Sequence, residues 1–222
     1  MASMRKWVLV VVKDLQIEWR RKDFGAATVG LGIMAVVVFR VTLGATTRLG
    51  PALASAMLWI DCAYVGIITI TRIYAREVPE NAMLGLGLMP GGRIAIFLAK
   101  VFLALMFLQC NQILVLTLIG HGLLLQALNR AVWFELILLL GGLGIALVGT
   151  FVSAVGFNVA GDDVVTPLLA ALLPLPVLIC AAQSTADLWL GKHLGLWLQG
   201  LIGYDVVFLV LPMALHEFVW EV

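Results

Sequence analysis

The stretch PALASAMLWIDCAYVGIITIT (51–71) runs without a break into RIYAREVPENAMLGLGLMPGGR (72–93), and that join decides the fold. The first part is one apolar run interrupted by a single charge, Asp61, and has the length of about twenty residues that an α-helix needs to cross a bilayer. The second part opens on alternating charge, passes Pro79, turns into a Met/Leu/Gly run and stops at Pro90-Gly91-Gly92. A plain connection between two spans would be shorter and wholly polar. Pro79 suits the first turn of a helix, and Glu80 and Asn81 follow where acidic or polar groups complement the helix dipole. Pro90-Gly91-Gly92 is a stop signal. The spacing therefore predicts a short helix over 79–89, about 15 Å long, presenting Met83, Leu84, Leu86, Leu88 and Met89. Gly85 and Gly87 each cost about 1 kcal/mol of helix stability relative to alanine. Such a helix needs a surface to dock on, either the groove of a cytoplasmic protein or the lipid itself.

The rest of the chain repeats the first half of this pattern. Of its 222 residues, 63% are hydrophobic and 12% charged, with a mean hydropathy of +1.09. A soluble domain is nearer half apolar and a quarter charged, so the sequence reads as an all-α polytopic membrane protein in one transmembrane domain, 1–222. The period-2 alternation of a membrane β-barrel is missing. Six spans are expected, at 25–43, 51–71, 94–119, 132–156, 164–186 and 199–219. Ahead of them, Trp7, Val11, Leu15 and Trp19 recur every four residues while Lys13, Arg20 and Arg21 fall largely off that stripe. This predicts an amphipathic helix over 1–24 lying in the membrane interface, with a plain soluble amphipathic start as the alternative. Lys13, Asp14 and Glu18 inside the first apolar run argue against a cleavable signal peptide. A second interfacial segment, 187–198 on the outer side, is expected from Leu188, Trp189, Leu196 and Trp197, with the two tryptophans as interface anchors.

Lys and Arg set the orientation. Arg5, Lys6, Lys13, Arg20, Arg21 and Lys22 precede the first span, and Arg72, Arg76 and Arg93 flank the 79–89 helix. On the other side Arg48, Arg130 and Lys192 stand once per loop. That bias places both termini and the 72–93 stretch in the cytoplasm; the 157–163 connection, FNVAGDD, shares that side without a basic residue.

Two spans carry unusual composition. The fourth contains Gly142 and Ala146, then Gly149 and Ser153, small residues four apart that allow close helix approach, within the chain or across a dimer. The fifth contains Pro167, Pro174 and Pro176, and a helix with LLPLPVLI in its middle must kink or break.

Candidate chemistry is sparse. There is no GxxxxGK[ST], HExxH or GxSxG, so the chain is expected not to be an enzyme and to have no nucleotide site of its own. Cys62, Cys110 and Cys180 are isolated in apolar runs and read as small core residues. His121, His193 and His216 are isolated near span ends, and no metal site is expected. The ionisable residues within spans are the sharper signal, because each costs a few kcal/mol at mid-bilayer if unpaired. Lys100, about two turns into the third span, is placed to reach toward Asp61, as a structural ion pair or as a polar link in a pathway. Arg40 and Asp205 are expected near the outer face, paired or snorkelling.

An interfacial first helix, six spans and a short cytoplasmic helix between spans two and three resemble a small export-type ABC permease of the ABC-2 exporter-like kind. Arg72, Arg76 and Glu77 in R-x-x-x-R-E, the Leu/Met run to Pro90, and IFLAKV with Lys100 resemble, more narrowly, the cytochrome c maturation permease, or haem exporter protein B, family. LLPLPVLI and the KDLQIEWRRKD start are similar to that family's fifth span and N-terminal segment, and the likeness covers nearly the whole length. Where the family often has Gly then Leu-Glu in its coupling helix, this chain has Asn81, Ala82 and Met83.

The resemblance implies a permease subunit in the bacterial inner membrane. It implies ATPase coupling through Arg72, Arg76, Glu77, Pro79, Met83, Leu84, Leu86 and Pro90, two ATP-binding subunits and a second copy of this chain. A haem-handling membrane protein and a periplasmic haem chaperone are the further partners, and nucleic acid is not one. Haem and ATP then belong to the assembled complex, with no cofactor bound by this chain. An export permease for a lipid, polyketide or drug, and a non-transporting membrane scaffold, are the competing readings.

Overall fold

The computed structural model describes residues 23–44, 49–75, 92–119, 125, 128–158 and 165–214. The described elements are α1 (Asp23–Leu43), α2 (Pro51–Ala75), α3 (Gly92–Ile119), α4 (Ala131–Asn158), α5 (Val165–Leu172), α6 (Leu175–Trp189) and α7 (Gly195–Ala214). The 79–89 helix and all but the last two residues of the 1–24 segment lie outside the described residues. Helices are what long apolar runs must form in lipid, where every backbone N–H and C=O has to be satisfied within the segment.

Among the described residues, four helices are long and apolar enough to cross a membrane: Pro51–Ile70, Phe97–Ile119, Ala131–Ser153 and Gly195–Pro212. Four is fewer than the six apolar runs of the sequence, for two reasons. The described apolar part of the first run is the shorter stretch Gly30–Leu43. The fifth run is cut in two between Leu172 and Leu175.

Prolines cause that cut. Pro174 has no N–H to donate to Ala170, and Pro176 has none for Leu172, so two helical bonds two residues apart are lost. Ordered backbone bonding resumes with Leu178 N donating to Pro174 O at 3.0 Å. The Tyr204 hydroxyl of α7 donates to the Leu173 carbonyl at the break, a polar contact that supports the interrupted backbone from a neighbouring helix.

α4 is the hub, packed against α2, α3, α5, α6 and α7, while α1 lies on α2 and α3. Its small residues explain how five neighbours fit. Gly141 faces the Trp59 indole and Ala181, Gly144 faces Val177 and Asp205, and Gly149 faces Ile70. Of the small-residue pattern read from the sequence, Gly142 faces Leu105 and Gln109 and Gly149 faces Ile70, so both are used in packing within the chain. Backbone approach of this kind is the main source of helix association in lipid, where burial of apolar surface adds little.

Trp59 is the largest side chain fully buried in this core, at 1% exposure. Its Nε1–H donates to Thr185 Oγ1 at 2.9 Å, and that hydroxyl donates on to Ala181 O at 2.8 Å. One indole thus ties α2 to α6. Trp59→Phe keeps most of the ring and removes the bond, so thermal unfolding in detergent should show a loss of about 1 kcal/mol; an unchanged midpoint would mean that the bond contributes nothing.

The expected interfacial segment 187–198 is differently built. Its first residues are the last turn of α6, Leu190 and Gly191 form a turn with Gly191 at φ +73°, and Gly195 already starts α7. Trp189 is not an interface anchor: it is buried and tilted against Phe134, with centroids 5.8 Å apart. Trp189 is the last residue of α6, and the packing of α6 on α4 sets it against Phe134. Trp197 stays half-buried.

Candidate functional site

Polar side chains are sparse in this bundle and they gather. Asp61 stands ten residues into α2, about 15 Å from its start and so near the middle of a hydrocarbon layer about 30 Å thick. It is 1% exposed. Its Oδ2 accepts a 2.6 Å hydrogen bond from Asn111 Nδ2 of α3, itself fully buried. A side chain at Gly32 of α1 would run into Asn111 Oδ1, so three helices meet at this pair.

On either side of Asn111, within the same turn of α3, Gln109 and Gln112 both donate to the Leu138 carbonyl of α4, at 3.1 and 3.4 Å. The amides thereby extend the polar seam from α1 across α2 and α3 to α4. The seam is under-satisfied: Asp61 Oδ1, Asn111 Oδ1, Gln109 Oε1 and Gln112 Oε1 have no hydrogen-bond partner among the described residues. Buried oxygens without a partner lose about 1–3 kcal/mol each, so a state that supplies donors recovers that much at those atoms.

Asp205 forms a second centre. It lies ten residues into α7, again about 15 Å along its helix, and is 5% exposed. Both carboxylate oxygens lack a hydrogen-bond partner among the described residues. The absent side chain of Gly144 leaves it room: a Cβ there would stand 2.7 Å from Oδ1. Beside it Tyr204 and Phe208 stack with centroids 4.6 Å apart, and Phe208 meets Phe151 edge-on. An acidic group in a membrane interior marks a functional position by default.

Two expected pairs are not formed. Asp61 is bound to Asn111, and Lys100 lies eleven residues back along α3, a rise of about 16 Å. Lys100 is buried at 1% exposure at that other level of the bundle. Arg40 and Asp205 are separated by the hub: α1 packs on α2 and α3, whereas α7 packs on α4 and α6. Asp205 is also deeper than the outer-face position expected of it, because α7 begins four residues before the expected span.

Arg72 falls within α2, while Arg76, Glu77, Pro79, Met83, Leu84, Leu86 and Pro90 lie outside the described residues, as do His121 and His216. His193 is exposed next to the α6–α7 turn. Cys62, Cys110 and Cys180 are spread over α2, α3 and α6. Among the described residues, no three His, Cys, Asp or Glu side chains come together as metal ligands would. Asn111, Gln109 and Gln112 escaped a sequence reading confined to ionisable groups. The signal was there, in the polar residues of LQCNQILV (108–115) inside an otherwise apolar run.

The geometry is that of a multi-pass helical membrane protein with a polar seam at mid-depth. Comparison with known proteins supplies its kinship. A family model described as CcmB protein matches residues 5–219. Heme exporter protein B of Rhodobacter capsulatus is 27% identical over 177 residues, 77% of this chain and 78% of that protein. No solved structure matches. Since the family model takes in nearly the whole chain, from the charged N-terminal segment to the last apolar run, the chain belongs to the CcmB family.

Proposed function

We propose that this chain is the permease subunit of a haem-exporting ABC transporter of cytochrome c maturation, set in the bacterial inner membrane. The observation that carries the reading is the family match over residues 5–219, laid on an all-helical membrane bundle. In the proposed assembly α1 to α4, the interrupted α5–α6 pair and α7 are six spans of an ABC-2-like exporter. Both termini face the cytoplasm, following the Lys/Arg bias. Two copies pair with two ATP-binding subunits docked beneath the 79–89 helix, where Pro79, Met83, Leu84, Leu86 and Pro90 make the contact and Arg72, Arg76 and Glu77 flank it.

ATP-driven closure of those subunits pushes the 79–89 helix, and the spans tilt as rigid bodies. The cycle serves haem delivery to, or release of, a periplasmic haem chaperone, in company with a haem-handling membrane protein. Haem is cargo here, and no residue of this chain is assigned as its ligand. The polar seam suits such motion, since its unpartnered oxygens favour a state in which they are paired or wetted.

The test is to replace Leu84 and Leu86 with aspartate in the full chain and purify the complex through this subunit. The ATP-binding subunit should be lost, along with assembly of c-type cytochromes in cells. Undiminished association and cytochrome assembly in the double variant would overturn the coupling role.

A further inference from the structure

At the end of the bundle where α4 and α7 begin, a cavity of about 800 Å³ opens between the first turn of α4 and the α6–α7 turn. Its lining combines Arg130, Lys192 and His193 with Trp133, Leu188 and Leu198. The two strong cations arrive from different elements. Lys192 follows the turn, and Arg130 reaches across from the start of α4, its Nη2 standing 3.8 Å from where a Gly191 Cβ would be. Among the described residues, Asp187 is the carboxylate paired with Lys192, 3.7 Å from its Nζ. That lysine is 64% exposed, and a pair so open to solvent holds its partners weakly. Arg130 has no ion pair among the described residues. Glu135, one turn further along α4, is exposed and is not part of the lining.

The backbone adds to the positive field. The first helical bond of α4 is Phe134 N to Arg130 O at 3.0 Å, and among the described residues the N–H groups of Val132 and Trp133 have no backbone partner. Leu198 N to Leu194 O at 3.1 Å is the first such bond of α7, which leaves the N–H groups of Gly195, Leu196 and Trp197 directed out of the helix end. Both first turns line the cavity, and α7, which follows the non-helical residues 190–194, presents the positive end of its dipole to it.

Its surroundings are greasy. Val132 is 81% exposed, Leu196 74% and Trp133 50%. Val132, Leu136 and Leu139, at helical spacing, carry an exposed apolar stripe from the cavity along α4. A soluble anion would use the cations and leave that stripe unused.

We propose that this cavity is a binding site for an anionic phospholipid, with the headgroup phosphate between Arg130 and Lys192 and the acyl chains along Val132, Leu136 and Leu139. The tryptophan at the mouth stands at the level where headgroups and acyl chains meet. The site does not depend on what the protein exports.

The full chain in detergent is titrated with phosphatidylglycerol, phosphatidylcholine or inorganic phosphate, reading bound lipid by native mass spectrometry and the thermal midpoint in parallel. Phosphatidylglycerol should bind and raise the midpoint, with phosphatidylcholine and phosphate doing neither. In Arg130→Gln/Lys192→Gln its affinity should fall about thirtyfold, the loss of two cation–headgroup attractions at a membrane surface. Arg130→Lys should keep most of the binding, and Glu135→Gln should leave it unchanged. Equal binding of the two lipids, or full binding by the double Gln variant, would overturn the proposal. Stabilisation by phosphate alone would also overturn it and assign the cavity to a soluble anion.

Discussion

Gly141→Leu is expected to yield almost no folded protein, whereas Gly203→Leu should accumulate like the parent. Both glycines sit in apolar helices, and what separates them is what a side chain meets. A Cβ at Gly141 enters the Trp59 ring and stands 3.0 Å from Ala181 Cβ, whereas at Gly203 it meets nothing within 4 Å. Trp59 has no room to retreat, because it is 1% exposed and its indole N–H is bound to Thr185. Forcing even one extra methylene into a tight core costs about 1–3 kcal/mol, and leucine brings four carbons. Displacing the indole adds the lost hydrogen bond, about 1 kcal/mol. Because α4 carries five neighbours on this packing, the damage spreads to α2 and α6 together. Fluorescence-detected size exclusion of tagged protein from detergent extracts measures the outcome directly. A monodisperse peak of parental height for Gly141→Leu would show that α4 is not held where the structure has it.

The second large effect is a coupling between Asp61 and Asn111. Asp61→Leu leaves the Asn111 amide buried with an unmet N–H, a loss of about 1–3 kcal/mol. Asn111→Leu is worse, since it strands a carboxylate at mid-membrane, where an unpaired charge costs about 3 kcal/mol. Removing both side chains takes away the bond and the stranded groups together, so the double variant should regain most of the stability lost in either single one. The expected coupling is about 1–3 kcal/mol, obtained from unfolding midpoints of the four proteins in bicelles. Additive losses would sink the pairing. The double variant then serves a functional question, because a stable bundle without the seam's carboxylate can be assayed for cytochrome c assembly in cells.

Much of the scaffold was legible in the sequence because lipid leaves few choices. An apolar run of some twenty residues has to be helical there, and Pro174 with Pro176 has to interrupt the fifth run. What a linear reading misses is rotation and stagger. Asp61 and Lys100 are each polar interruptions in adjacent antiparallel helices, which made their pairing reasonable. Yet the partner of Asp61 depends on which turn of α3 lies level with it, and that turn carries Asn111. Trp59 and Thr185 are 126 residues apart and meet only because α2 and α6 are neighbours. The same blindness affects Trp189, whose interfacial composition says nothing of the packing of α6 on α4 that buries it against Phe134. For the small residues of α4, spacing identified the helix but not which of its faces would be used.

The contact between Gly144 and Asp205 carries a rule for how related sequences drift. A methyl at position 144 would stand 2.7 Å from the carboxylate and 2.8 Å from Val177 Cγ2. Alanine or serine can therefore enter at 144 only in lineages where position 205, and Val177 beside it, have already shrunk or turned away. Aligned relatives should show these positions changing in that order, and a bulky residue at 144 opposite an aspartate at 205 should be rare. Positions spread over α4, α6 and α7 would then evolve as one.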